Sequence, residues 1–245
     1  LLRRLDFDSS ESVFDTPKPT RLITQMLRIG TKVNESDLVL DFFAGSATVG
    51  DAVMQLNAED GGNRRYLLAQ LPEQTDAEDY TTIAEMGKAR LRAAGDAISE
   101  TASDSVDLGF KVLKLSSSNV RPWDPSADDI AASLFDTVEN IKRDRTENDL
   151  LHELLLKYGL DLSVPVEVRE VAGKSVYIIG AGALVVCLAD NIDLDVVKGI
   201  ASLKEELSPE IMRVVFKDSG FKDDVVKTNT VQILRQARVE DVKSL

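Results

Sequence analysis

At 245 residues the chain is long enough for one or two domains with a substantial core. Its formal charge of −13, from 29 Lys and Arg against 42 Asp and Glu, has the wrong sign for a main duplex-binding surface, which must neutralise phosphates with cations. A single cysteine, Cys187, and a single histidine, His152, argue against an intrachain disulfide, a Cys-based metal site and a His-centred nucleophile–base pair, and no apolar run reaches bilayer length, so a soluble, cytoplasmic protein is expected.

The first predicted element follows Phe14-Asp15-Thr16-Pro17-Lys18-Pro19-Thr20, where two prolines stiffen an extended lead and Thr20 is placed to cap a helix over Thr20–Arg28. The apolar run Leu38-Val39-Leu40-Asp41-Phe42-Phe43 then reads as a strand ending in an acidic residue. The small residues Ala44-Gly45-Ser46-Ala47-Thr48-Val49-Gly50 read as a tight loop. Ser46 is the expected N-cap of the next helix, and Val49, Ala52, Val53 and Leu56 share one face of that helix, which runs to about Asn57. Strand, glycine loop and helix in that order form a ligand cradle: glycine lets the backbone approach where a Cβ would intrude, and the starting helix offers N–H groups to an anion. Asp51 follows Gly50 where a phosphate-binding P-loop needs Lys-Ser or Lys-Thr, which argues against ATP. The single glycines at 45 and 50 lack the G-x-G pair of a dinucleotide fingerprint.

Asp60-Gly61-Gly62-Asn63 is a predicted loop, Tyr66–Leu71 a strand, and a helix carries Tyr80, Ile83, Ala84, Gly87 and Leu91. The stretch from Gly95 to Asp107 is expected as a frayed end and connection, and Phe110–Leu115 as a further strand. Two amphipathic helices are predicted between Pro125 and Tyr158, the first marked by Ile130, Leu134, Val138 and Ile141. The second carries Leu151, Leu154, Leu155 and Tyr158, with His152 facing away from that stripe. Beyond Gly159 the period changes to two. Val164, Val166 and Val168 alternate with Pro165, Glu167 and Arg169, Ala172-Gly173-Lys174 is a turn, and Ser175–Ile179 returns as the partner strand. Gly180-Ala181-Gly182 lacks the following helix of a phosphate loop and reads as a hairpin turn before Leu184–Leu188, which buries Cys187 as an inert thiol. A helix over 193–207, a strand Ile211–Phe216 and a helix over 223–237 complete the chain, with the mixed charges of Phe216–Asp224 read as a capped loop.

The Lys-Pro segment and the loop from Asp41 to Gly50 together resemble the amino-methylating DNA methyltransferases, in which both segments line the S-adenosylmethionine pocket. Phe42 stands where that family usually has Pro, and Ala47 where it usually has Gly. Arg65-Tyr66-Leu67-Leu68-Ala69-Gln70-Leu71-Pro72-Glu73, Gly109–Leu115, Ser118-Asn119-Val120 and Trp123-Asp124 resemble one branch, the modification subunits of type III restriction–modification systems. The resemblance implies an α/β fold with a Rossmann-like S-adenosylmethionine-dependent methyltransferase half-sheet, followed by a small α/β C-terminal domain. The implied parts are a cofactor-binding part over 1–115, a helical connector over 116–160 and an assembly domain over 161–245. It implies adenine-N6 methylation of DNA, with Thr16, Lys18, Asp41, Phe42, Phe43, Ala44, Gly45, Ser46, Thr48 and Gln70 holding the cofactor. Gln70 is favoured over Glu73 as the residue nearest the ribose. The implied partners are DNA, a restriction subunit and a second copy of the same subunit.

Methylating an exocyclic amine requires a flipped base held by an Asp-Pro-Pro-Tyr-like tetrapeptide. This chain has no Pro-Pro, and its one Asp-Pro, Asp124-Pro125, runs into Ser126-Ala127. With the cofactor motif inside the first fifty residues, the expectation is a C-terminal piece that holds cofactor, lacks the catalytic tetrapeptide and by itself methylates nothing. The rival readings are a non-catalytic interaction module on a methyltransferase-like fold, and a methyltransferase acting on RNA or a small molecule.

Overall fold

The computed structural model describes residues 18–76, 79–101, 106–121, 141–239 and 241–245. The chain is a mixed α/β protein that divides into two compact units, residues 1–112 and 113–245. Among the described residues no helix is long and apolar enough to cross a membrane.

In the first unit, helix α1 (Thr20–Gly30) precedes strand β1 (Leu38–Asp41), helix α2 (Thr48–Asp60), strand β2 (Arg65–Leu68) and helix α3 (Ile83–Ser99). β1 and β2 pair in parallel, Leu38 opposite Arg65 and Asp41 opposite Leu68. Alternation sends Val39, Tyr66 and Leu68 toward the helices and leaves Leu38, Leu40 and Leu67 exposed on the other face. α2 is central to the packing. Ala52, Val53 and Leu56 meet Leu27 of α1, while Met54 meets Leu91, Ala94 and Ile98 of α3. The second glycine of the loop, Gly50, serves this packing: a Cβ there would lie 2.6 Å from Leu91 Cδ2 and 3.1 Å from Leu68 Cδ1.

Three expectations change here. The N-cap of α1 is Pro19, with no side-chain cap, and Thr20 is the first helical residue. α3 begins at Ile83, past Tyr80, because the Thr82 side chain accepts the Glu85 N–H at 3.2 Å and caps the helix. Phe110–Leu115 is not a strand. Phe110 packs beside Tyr66 and Leu68 with Arg92 over its ring, but no described strand pairs with the backbone that follows it, and an apolar-rich run without a ladder does not make a sheet.

Among the described residues the second unit is built on a five-stranded sheet of order β3-β4-β5-β6-β7, comprising β3 (Val166–Val171), β4 (Lys174–Ile179), β5 (Leu184–Cys187), β6 (Arg213–Phe216) and β7 (Asp241–Ser244). The first three strands are antiparallel and the last three parallel. Helices α5 (Leu194–Leu207) and α6 (Asp224–Gln236) cover one face, on which Val185, Cys187, Val214 and Phe216 meet Ile200 and Leu234. Helix α4 (Glu147–Lys157), closed at its start by a Thr146–Asp149 capping box, lays Leu150, Leu151, Leu154 and Leu155 on the other face, against Ile179, Leu184, Val186 and Val215. A strand buried on both faces reads as an unbroken apolar run, which is why Leu184–Leu188 does not alternate.

The 180–182 segment is the expected turn, with φ of 59° at Gly180, 55° at Ala181 and 96° at Gly182. His152 sits off the leucine stripe, its Nδ1 2.7 Å from the Asn148 carbonyl. Cys187 is buried, and burial pushes its thiol up from the ordinary range. β7 carries a single apolar residue, Val242, and has no readable pattern of its own. The helix marked by Ile130, Leu134 and Val138 lies outside the described residues, as do Thr16, Trp123 and Asp124.

Candidate functional site

The carboxyl ends of β1 and β2 and the start of α2 converge on the glycine loop. Ala69 N–H donates to the Asp41 carbonyl at 2.8 Å and Ala44 N–H to the Ala69 carbonyl at 3.1 Å, so the parallel pairing extends into the loop. The chain then turns sharply. Gly45 has φ 52° and Ala47 φ 60°, and Ala47 N–H closes onto the Ala44 carbonyl at 2.8 Å. The left-handed region is natural for Gly45 and strained for Ala47.

The expected cap differs. The N-cap position of α2 is Ala47, whose methyl can accept no bond, and the Ser46 hydroxyl is turned inward. There it meets Arg90 of α3. Arg90 Nη1 donates to Ser46 Oγ at 3.1 Å and to Thr48 Oγ1 at 2.7 Å, Nε to Asp51 Oδ2 at 3.0 Å, and Nη2 to Thr20 Oγ1 at 3.0 Å. All but Thr20 are buried, with 3% of Arg90, 4% of Asp51, 2% of Ser46 and 5% of Thr48 exposed. An ion pair so far from water is retained only where further hydrogen bonds satisfy it, as the hydroxyls of Ser46, Thr48 and Thr20 do here. Gly87, one turn before Arg90, brings α3 against the loop: a Cβ there would lie 3.3 Å from Ala47 Cβ.

Asp41 ends β1 with Oδ1 accepting Phe43 N–H at 3.1 Å. Gln70 reaches across from the end of β2, its Oε1 accepting Gly45 N–H at 2.7 Å and its Nε2 donating to the Leu71 carbonyl at 3.2 Å. Phe42 and Phe43 project outward, 64% and 82% exposed, with ring centroids 5.0 Å apart. The structure thus gathers Asp41, Phe42, Phe43, Ala44, Gly45, Ser46, Thr48 and Gln70 around one loop. Lys18 is exposed two residues before α1, and Thr16 lies outside the described residues.

Sequence reasoning missed Arg90, and it placed Asp51 only as the residue that rules out a P-loop. The available signal was a guanidinium on the buried stripe of α3, four residues after Met86 and next to Leu91. A cation on a core-facing helical position calls for a buried anion. Among the described residues no group of three or more His, Cys, Asp or Glu is placed to hold a metal ion.

Residues 4–95 match the sequence profile of a DNA methylase family. Over 108 residues the chain is 40% identical to the type III restriction-modification enzyme StyLTI Mod subunit of Salmonella typhimurium, a match covering 41% of this chain and 16% of that protein. It is 37% identical over 107 residues to the EcoPI Mod subunit of Escherichia phage P1, again 41% of this chain and 16% of the relative. A type II methyltransferase of Klebsiella pneumoniae, M.KpnI, is 43% identical over 58 residues, 24% of this chain and 13% of that enzyme.

Proposed function

From a chain whose residues 4–95 match a DNA methylase family, we propose part of a site-specific, adenine-N6 DNA methyltransferase of the type III restriction–modification kind, with residues 1–115 as its cofactor-binding part. The observation that carries this reading is the set of groups at the carboxyl ends of β1 and β2, where ligands of open α/β sheets bind: one carboxylate, one amide, a loop of small residues and two exposed rings. On this reading β1 and β2 are part of a Rossmann-like sheet.

The donor set suits S-adenosylmethionine, which supplies an electrophilic methyl group. The Asp41 carboxylate matches the ammonium of the methionine end, and Lys18, with Thr16, lies on the segment assigned to its carboxylate. Ala44 and Gly45 let the ligand approach the backbone. Gln70 stands nearest the ribose, and the rings of Phe42 and Phe43 offer apolar faces to adenine. Ser46 and Thr48 act from behind the loop through Arg90. The contribution of these residues is orientation of the methyl group for in-line transfer. The chain is assigned no proton-handling residue and none of the base-holding tetrapeptide.

Residues 161–245, with α4 packed on their sheet, serve as an assembly domain joining this subunit to a second copy and to a restriction subunit. DNA is held mainly by other regions of the longer protein. Support for assembly comes from β3, an edge strand among the described residues whose Val168 is exposed.

Calorimetric titration of the chain with S-adenosylmethionine tests the cofactor reading. Saturable binding that Asp41→Ala removes supports it, and heats indistinguishable from buffer favour a non-catalytic interaction module. For assembly, light scattering is run on the chain and on its Val168→Lys variant. Self-association that the lysine weakens is expected, and a monomer that also fails to copurify with the restriction subunit rejects the role.

A further inference from the structure

We propose that Arg90 is the positioning residue of the cofactor site, fixing the register between the loop at 44–50 and the segment that enters α1. The inference rests on the cofactor reading above and assigns to it a residue that makes no ligand contact. The guanidinium uses all three of its nitrogens. Nε holds Asp51 in the first turn of α2, Nη1 holds the hydroxyls of Ser46 and Thr48, and Nη2 leaves the loop altogether to reach Thr20 Oγ1 at 3.0 Å. Thr20 opens α1 and lies two residues after Lys18. One planar, fully charged fork therefore connects α3, the loop with the start of α2, and the start of α1, segments 39 to 70 residues apart in sequence from Arg90.

The bond to Thr20 distinguishes positioning from mere support. Asp51 and the loop hydroxyls take Nε and Nη1 from within α2 and its loop, whereas the Thr20 bond on Nη2 adds a fixed distance between the Lys18 segment and the Asp41 end of the loop. A ligand held by both segments at once is sensitive to that distance, since small displacements of positioning groups propagate to affinity.

The whole chain is compared with Thr20→Val and Arg90→Lys by calorimetric titration with S-adenosylmethionine, by thermal melting and by hydrogen exchange of the amides in 44–50. Thr20→Val removes one partly exposed bond and keeps the shape of the side chain. It is expected to leave the melting temperature nearly unchanged while weakening the cofactor about fivefold and speeding exchange in the loop. Arg90→Lys keeps a cation facing Asp51 but loses the fork, and is expected to weaken the cofactor by about tenfold or more in protein that still melts cooperatively. Binding that is the same in both folded variants as in the unmodified chain overturns the role and leaves the cofactor reading standing. Failure of the unmodified chain to bind overturns both.

Discussion

Gln70 and Gly45, 25 residues apart, are joined by a 2.7 Å hydrogen bond in which the side-chain carbonyl of Gln70 accepts the loop N–H. The end of β2 thereby holds the residue whose left-handed backbone starts the turn. Gln70→Ala is expected to free that N–H, speed hydrogen exchange at Gly45 and weaken S-adenosylmethionine by about 1 kcal/mol, roughly fivefold. Calorimetry on the folded variant checks it. Unaltered affinity together with unaltered exchange means the latch has no bearing on binding.

Asp41→Ala is expected to remove cofactor binding with little effect on folding. The carboxylate is partly exposed and bonded to the Phe43 N–H at 3.1 Å. Loss of one charged hydrogen-bond partner costs about 1.5–3 kcal/mol, a roughly ten- to hundredfold loss of affinity. Titration and melting curves on the same preparation separate the two effects, and a variant that melts normally and binds normally rejects the assignment.

Ala47 occupies a left-handed conformation at φ 60° and is buried. Glycine there relieves about 1 kcal/mol of backbone strain and gives back a similar amount in unfolded-state entropy. Ala47→Gly is therefore expected to stay within about 1 kcal/mol of the unmodified stability in urea denaturation. Valine brings a β-branched side chain to a positive φ, so Ala47→Val is expected to lose about 2 kcal/mol or more. A tolerated valine contradicts the loop geometry.

Glu153 gives the second unit a pH-dependent contact. Partial burial pushes its carboxyl up, but bonds from Ser118 Oγ at 2.6 Å, Lys157 Nζ at 2.9 Å and Asn119 N–H at 2.7 Å outweigh that and hold it down, from 4.5 to about 2. A carboxyl depressed in the folded state contributes stability that is present above its unfolded value and lost as pH falls through the folded one. Denaturation curves between pH 5 and about 2 are expected to show a loss that Glu153→Gln lacks. Parallel pH profiles for the two proteins refute the contact.

The Tyr66 hydroxyl is buried with no hydrogen-bond partner among the described residues, and burial, with Asp107 nearby, pushes the phenol up to about 12. Deleting an unsatisfied polar atom removes its desolvation cost, so Tyr66→Phe is expected to be neutral or to stabilise by up to about 1 kcal/mol in thermal melting. A clear destabilisation shows that the hydroxyl is bonded in solution.

By itself the sequence determined the strand, loop and helix around Asp41–Gly50, the gathering of small residues there, the α/β order of the last eighty residues and the turn at Gly180–Gly182. Each of these is written in local currency: hydrophobic period, glycine and proline placement, and caps act over one to eight residues. Tertiary structure decided everything that needed a distant partner. Phe110–Leu115 has the apolar content of a strand and no described neighbour to pair with, whereas Asp241–Ser244 has almost no pattern and becomes β7 because β6 offers it an edge. Ser46 reads as a cap and instead turns inward, because Arg90 is brought to it across 44 residues by the packing of α3 on α2. Hydrogen bonding and charge burial are settled by what the fold places within about 3 Å, and spacing along the chain carries no record of that.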